Sequence, residues 1–129
     1  MPELLRVENL SAGYGEARVI HGVSFALEEG RSLAVLGRNG VGKTTLVDSL
    51  IGVTTRFNGA IALAGQHIAS LPPYLRARRG VAWTPQERNI FRSLTVEENL
   101  TAVATPGPWT AKRAYGLFPR LEERRRAMG

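Results

Sequence analysis

The sequence predicts an α/β fold: several strands, one helix set directly behind a glycine-rich loop, and a helical region toward the C-terminal end. Three observations lead there. Ser32-Leu33-Ala34-Val35-Leu36 has the composition of a short buried strand, and Thr45-Leu46-Val47-Asp48-Ser49-Leu50-Ile51 reads as a helix ended by Gly52. Between them lies Gly37-Arg38-Asn39-Gly40-Val41-Gly42-Lys43-Thr44-Thr45, which fits G-x-x-x-x-G-K-[ST]. Short alternating segments precede this block, and the pattern turns helical beyond Thr95.

A strand, a glycine turn and a helix N-terminus present successive backbone N–H groups to an anion. Gly37, Gly40 and Gly42 let the backbone curl without a Cβ in the path of phosphate groups. Lys43 brings a positive point charge to the β- and γ-phosphates, and the Thr44 hydroxyl is placed to reach a magnesium ion. The plain alternative is a glycine-rich turn with a stray lysine, which the match in both residue type and context disfavours. The motif predicts a nucleoside triphosphate site with magnesium.

At 129 residues the chain is expected to form one domain at most, with 43% hydrophobic and 22% charged residues, ordinary values for a soluble protein. It has no cysteine, which excludes disulfides and thiolate metal sites and agrees with a reducing compartment. Met1-Pro2-Glu3-Leu4-Leu5-Arg6 lacks the cationic start and long apolar stretch of a signal peptide. No apolar run approaches the roughly 20 residues of a membrane-spanning helix. The net charge of +6 raises a nucleic-acid reading. Its basic clusters, Arg76-Ala77-Arg78-Arg79 and Arg120 through Arg126, read instead as solvated helix faces. Aromatics interleaved for base stacking are missing, so no nucleic acid is expected as a partner.

Leu4 to Leu10 reads as a first strand, with Leu5, Val7 and Asn9 on one face and Leu4, Arg6 and Glu8 on the other. A turn at Ser11–Gly15 displays Tyr14. Ala17–Ile20 and Val23–Leu27 read as two further strands. Arg56-Phe57-Asn58-Gly59 carries the Asn-Gly hairpin signal and is expected to turn ahead of a strand over Ala60–Leu63. Pro72-Pro73 opens a short helix, Tyr74–Arg79, stopped by Gly80. Val81-Ala82-Trp83-Thr84 is expected as a compact apolar strand, closed by Pro85 and Gln86. Thr95-Val96-Glu97-Glu98 is a capping box for a helix to about Ala104. Thr110 caps a helix over Ala111–Leu117, and Pro119 starts a last, basic one.

In this order the pieces resemble the first half or so of the ATP-binding subunit of ABC transporters, and look closest to the branched-chain amino-acid, amide and urea uptake group. Three features carry the resemblance: the loop Gly37–Thr45, Tyr14 a little over twenty residues ahead of it, and Val81-Ala82-Trp83-Thr84-Pro85-Gln86, which ends like the family's Q-loop. Asn89-Ile90-Phe91-Arg92-Ser93-Leu94-Thr95-Val96-Glu97-Glu98-Asn99-Leu100 and Leu117-Phe118-Pro119-Arg120-Leu121 are similar to the branched-chain group in particular. The resemblance implies an incomplete P-loop nucleoside triphosphate hydrolase fold of ABC ATPase type. It combines an antiparallel β layer with the start of a helical subdomain, and implies domain parts 1–94 and 95–129. It implies ATP and magnesium as cofactors, with Tyr14 stacking on adenine, Thr44 and Gln86 at the metal, and Gln86 sensing water and a membrane subunit.

Each role has a plainer counterpart. Tyr14 also reads as an aromatic packed on its turn, Val19 as core rather than adenine pocket, and Gln86 as a polar strand end. Ile90, Phe91 and Leu94 read equally as a groove for a permease coupling helix or as packing of the helical region. Ser93 and Thr95 are turn and cap, and His21 and His67 are surface residues.

The family's signature motif, its Asp-Glu strand end and its switch histidine are not in this sequence. The chain therefore reads as a fragment that binds ATP better than it hydrolyses it, because phosphoryl transfer needs water positioning and charge neutralisation beyond the loop. In the complete protein the resemblance implies permease subunits and a second ATP-binding subunit as partners, on the cytoplasmic face of the membrane. The other readings are a non-catalytic regulatory module and, more weakly, a basic nucleic-acid-associated protein. Without further strands, Ser32–Leu36 and Val81–Thr84 are expected to leave apolar edges open.

Overall fold

The central strand of a four-stranded antiparallel sheet is β1 (Glu3–Tyr14), flanked by β2 (Ala17–Glu28) on one side and β3 (Thr55–Leu63) on the other. A two-residue strand, β4 (Gln66–His67), extends β3 and gives the order β2-β1-β3-β4. The structure is a computed structural model that describes residues 2–38, 40, 42–85, 90–102 and 106–129. It comprises two units, Met1–Trp83 and Thr84–Gly129.

The sheet departs from strict alternation for a physical reason. Leu5 and Val7 face the core, but the next inward residues are Leu10 and Ala12, so the parity changes between Val7 and Leu10. Asn9, expected on the face of Leu5 and Val7, is exposed and left-handed, with φ of 49°. Its N–H leaves the ladder and donates to Ser24 Oγ at 2.8 Å. Opposite it, the register of β1 with β3 shifts between Glu8 and Ser11. The expected turn at Asn58-Gly59 is instead part of a continuous β3, where Gly59 stands opposite a bulge of β1 made by Asn9 and Leu10. Gly59 has φ of 99°, and a Cβ there would lie 2.5 Å from the Asn9 carbonyl oxygen and 2.6 Å from Leu10 Cα. Asn-Gly favours left-handed backbone, and a bulge uses that preference as readily as a hairpin does. Gly59→Ala should therefore cost at least about 2 kcal/mol, from left-handed strain plus backbone clash. Its urea midpoint should fall accordingly, and a variant as stable as the parent would contradict the bulge.

The two strands expected over residues 17–27 are one. β2 runs through a register shift at Gly22, whose N–H donates to Ser11 Oγ at 3.0 Å. Neither Ser32–Leu36 nor Val81–Thr84 forms a strand. Apolar composition gives strand propensity, but a strand exists by pairing, and no ladder partner for either stretch lies among the described residues. Leu33, Val35, Leu36 and Trp83 are accordingly exposed.

The first helix, α1 (Lys43–Ile51), starts at left-handed Gly42 and ends at left-handed Gly52. Leu46 drops from it into a core made with Val7, Leu10, Ala12, Ile20, Ile61 and Ile68. Val7, Leu10, Ile61 and Ile68 are essentially sealed from water. Burial of such a side chain stabilises by about 1.5–3 kcal/mol. The second helix, α2 (Pro73–Arg78), has Pro73 in its first turn.

The basic cluster beginning at Arg76 is not uniformly a solvated face, because Arg76 itself is buried. Its guanidinium donates to the carbonyls of Ser49 at 2.7 Å, Leu50 at 3.2 Å, Leu71 at 2.9 Å and Ala69 at 2.9 Å. Two of these belong to the last turn of α1, where a cation meets both orphan carbonyls and the negative end of the helix dipole. Burial, and secondarily the charge of Arg56, lower its pKa from the usual arginine value.

In the second unit, α3 (Val96–Thr101) begins with the expected capping box, with Thr95 and Glu98 bonding reciprocally at 3.0 and 3.1 Å. Helix α4 (Ala111–Leu117) is capped by Thr110, and α5 (Pro119–Glu123) starts at Pro119. Among the described residues no helix is long and apolar enough to cross a membrane.

Candidate functional site

The end of β1, the start of β2 and the N-terminus of α1 converge on one cleft of about 250 Å³. Tyr14, Val19, Gly40, Gly42, Lys43, Thr44 and Thr45 line it, and no carboxylate is among them. Lys43 is the one charged residue among them, and the α1 N-terminus lies at the cleft, an arrangement that suits an anion.

Gly42 is where a side chain would close the loop against the sheet. Its φ is 104°, and a Cβ there would stand 2.6 Å from Ile20 Cγ2. Glycine thus lets the backbone at residue 42 rest against β2. Lys43 opens α1, and its ammonium donates to the Gly37 carbonyl, which keeps the charge at the loop. The Thr44 side chain is exposed at the helix start, whereas Thr45 is buried beneath it. Gly37 and Arg38 lie on exposed, irregular backbone leading in. Asn39, Val41 and Gln86 lie outside the described residues.

Tyr14 stands at the end of β1 with 45% of its surface exposed, so a ring face is open to a flat partner. Its hydroxyl donates to Asp48 Oδ2 at 2.7 Å and accepts from Thr45 Oγ1 at 3.5 Å. The Thr45 bond lowers the phenol pKa. The Asp48 bond, burial and the Asp48 charge outweigh it and leave Tyr14 above the usual tyrosine value. Val19, read as core from its strand position, is half-buried and takes part in both core and cleft.

Three residues escaped the sequence reading. Asp48 and Tyr14 are 34 positions apart, and nothing local links them. Arg76 was hidden in a basic run. Asn99 clamps the segment before α3, accepting from the Phe91 N–H at 2.9 Å and donating to the Phe91 and Thr95 carbonyls at 3.0 Å each. That clamp holds Ile90 and Phe91 with 56% and 60% of their surfaces exposed. Among the described residues these two are not packed into a core, while Leu94 is half-buried. His21 and His67 are exposed, as expected. No cluster of metal-binding His, Cys, Asp and Glu occurs among the described residues.

Residues 20–128 match the family described as ABC transporter. The chain belongs to the ABC transporter family. It is 43% identical over 101 residues to a probable branched-chain amino acid transport ATP-binding protein LivF of Archaeoglobus fulgidus, covering 78% of this chain and 43% of that protein. It is 41% identical over 100 residues to the lipopolysaccharide export system ATP-binding protein LptB of Haemophilus influenzae, covering 78% of this chain and 42% of that one. A solved structure of an ATP-binding subunit of an ABC transporter superposes with a TM-score of 0.77 at 34% identity, over 97% of this chain and 54% of that one. The fold is therefore that of an ABC ATP-binding domain in part. The matched stretches cover less than half the length of these two curated relatives.

Proposed function

We propose that the cleft holds ATP. Gly40, Gly42 and Lys43 grip the triphosphate, Tyr14 stacks on the adenine, and Thr44 takes the magnesium ion. The observation that carries this reading is the convergence of Tyr14, Lys43 and Thr44 on one cleft without a carboxylate. Tyr14 lies 29 or more positions from Lys43 and Thr44 in sequence, and two ends of one nucleotide need what they offer: a π-face and an anion cradle.

The chain is then the ATP-binding part of a transporter subunit whose hydrolysis drives transport in the complete protein. The exposed pair Ile90 and Phe91, with the segment after Gln86, supplies the face for the membrane subunit, as apolar groups held in the open by Asn99 would. The LivF resemblance supports an importer for branched-chain amino acids or related amides. The LptB resemblance, nearly level at 41%, supports an export system as the second reading.

Ranking nucleotides by equilibrium binding tests the site. ATP and ADP with magnesium should bind and AMP should bind at least about tenfold more weakly, because the loop grips phosphates beyond the first. The 129-residue chain should release no phosphate above background, since its sequence has no Asp-Glu strand end or signature motif. Equal binding of AMP and ATP would overturn the phosphate grip.

A further inference from the structure

The turn expected over Ser11–Gly15 is strand as far as Tyr14, and a tyrosine at a strand end, half in solvent, ordinarily samples several staggered rotamers. Tyr14 does not have that freedom. The Asp48 carboxylate, one and a half turns into α1, accepts its hydroxyl at 2.7 Å, and Thr45 from the loop motif donates to the same oxygen at 3.5 Å. Stacking alone needs neither bond, since phenylalanine has the same ring face. The carboxylate is half-buried, and among the described residues Tyr14 is its one hydrogen-bond partner. The structural work of Asp48 is done by its backbone, whose carbonyl accepts from Gly52 and Val53 at 2.9 and 3.0 Å. Its side chain is thus spare for the fold and committed to the ring.

We propose that Asp48 is a positioning residue for the nucleobase. Its carboxylate fixes the Tyr14 ring to the helix that also starts the phosphate loop, so the base platform and the phosphate cradle form one preorganised body. The proposal rests on the cleft being an ATP site and adds a residue that governs one end of the nucleotide only. Preorganisation raises affinity by removing the entropy cost of ordering a side chain on binding. One aromatic side chain corresponds to about a two- to tenfold change in affinity.

The test compares MgATP with magnesium inorganic triphosphate, which has phosphates and no base. Asp48→Ala should weaken MgATP binding by about two- to tenfold and leave triphosphate binding unchanged. Tyr14→Phe, which removes one oxygen, should do the same. The double variant should be no worse than either single one, because both remove the same bond. Equal loss of both ligands in Asp48→Ala would show a structural effect on α1 and overturn the proposal, as would unchanged ATP binding or additive losses. Should the Asp48 variant fold poorly, Tyr14→Phe alone decides, its expected signature being loss for ATP only. Failure of the unaltered chain to bind either ligand would overturn the ATP reading itself and this proposal with it. Binding of triphosphate with unchanged ATP affinity in the variants would overturn this proposal alone.

Discussion

Alanine in place of Lys43 lowers the affinity of this chain for MgATP by about ten- to a hundredfold and leaves its melting temperature unchanged. A hydrogen bond to a charged group contributes about 1.5–3 kcal/mol net, and each 1.4 kcal/mol is tenfold in binding. Lys43 is suited to that role because its ammonium is held within its own loop. It donates to the Gly37 carbonyl of its own loop and sits in no ion pair among the described residues. Calorimetric titration beside a thermal melt reads both halves of the expectation. A variant that bound normally would remove the loop from the account, and one that melted early would make Lys43 a structural residue.

The largest effect on stability belongs to Arg76. Arg76→Leu should cost about 3 kcal/mol or more, since the carbonyls of Ser49, Leu50, Leu71 and Ala69 lose a buried donor together. A total stability of about 5–15 kcal/mol is usual for a domain, so such a loss removes a large part of it. Arg76→Lys should not restore it, because a compact ammonium cannot reproduce the planar fork that spans four acceptors. Urea unfolding of the three proteins measures this. A loss below about 1 kcal/mol in Arg76→Leu would mean that water satisfies those carbonyls without the guanidinium.

The two residues illustrate what the sequence could and could not reveal. The place of Lys43 in the cleft was legible because it is set by neighbours within the same nine-residue loop, and Gly42 and Gly52 bracket α1 as their conformational freedom predicts. The caps at Thr95 and Thr110 were legible for the same local reason. Arg76 was not, because its acceptors lie 5 to 27 positions away and its own run, Arg76-Ala77-Arg78-Arg79, has the look of a solvated face. Asn58-Gly59 carried a true backbone signal and a false topology, since left-handed glycine serves a bulge as well as a hairpin. Asn9 took the solvent side because that bulge shifts the alternation on which a period-two reading depends. Ser32–Leu36 and Val81–Thr84 have the composition of strands, and composition does not supply a pairing partner.

For the site, the residues that share a motif were found and the bond that joins its two ends was not. Tyr14, Lys43 and Thr44 were named from spacing and from likeness to the ABC family. The Tyr14–Asp48 bond depends on β1 and α1 being brought together by the sheet, which a linear pattern does not encode.

The central claim is that the cleft over Gly42–Thr45 grips the phosphates of ATP, and residue-resolved NMR of the chain during a MgATP titration tests it most directly. Amide resonances of Gly40, Gly42, Lys43, Thr44 and Thr45 should shift together and saturate at one nucleotide per chain, with those around Tyr14 following. Shifts confined to other residues, such as those around Arg56 and Arg76, or the absence of saturable shifts altogether, would contradict it.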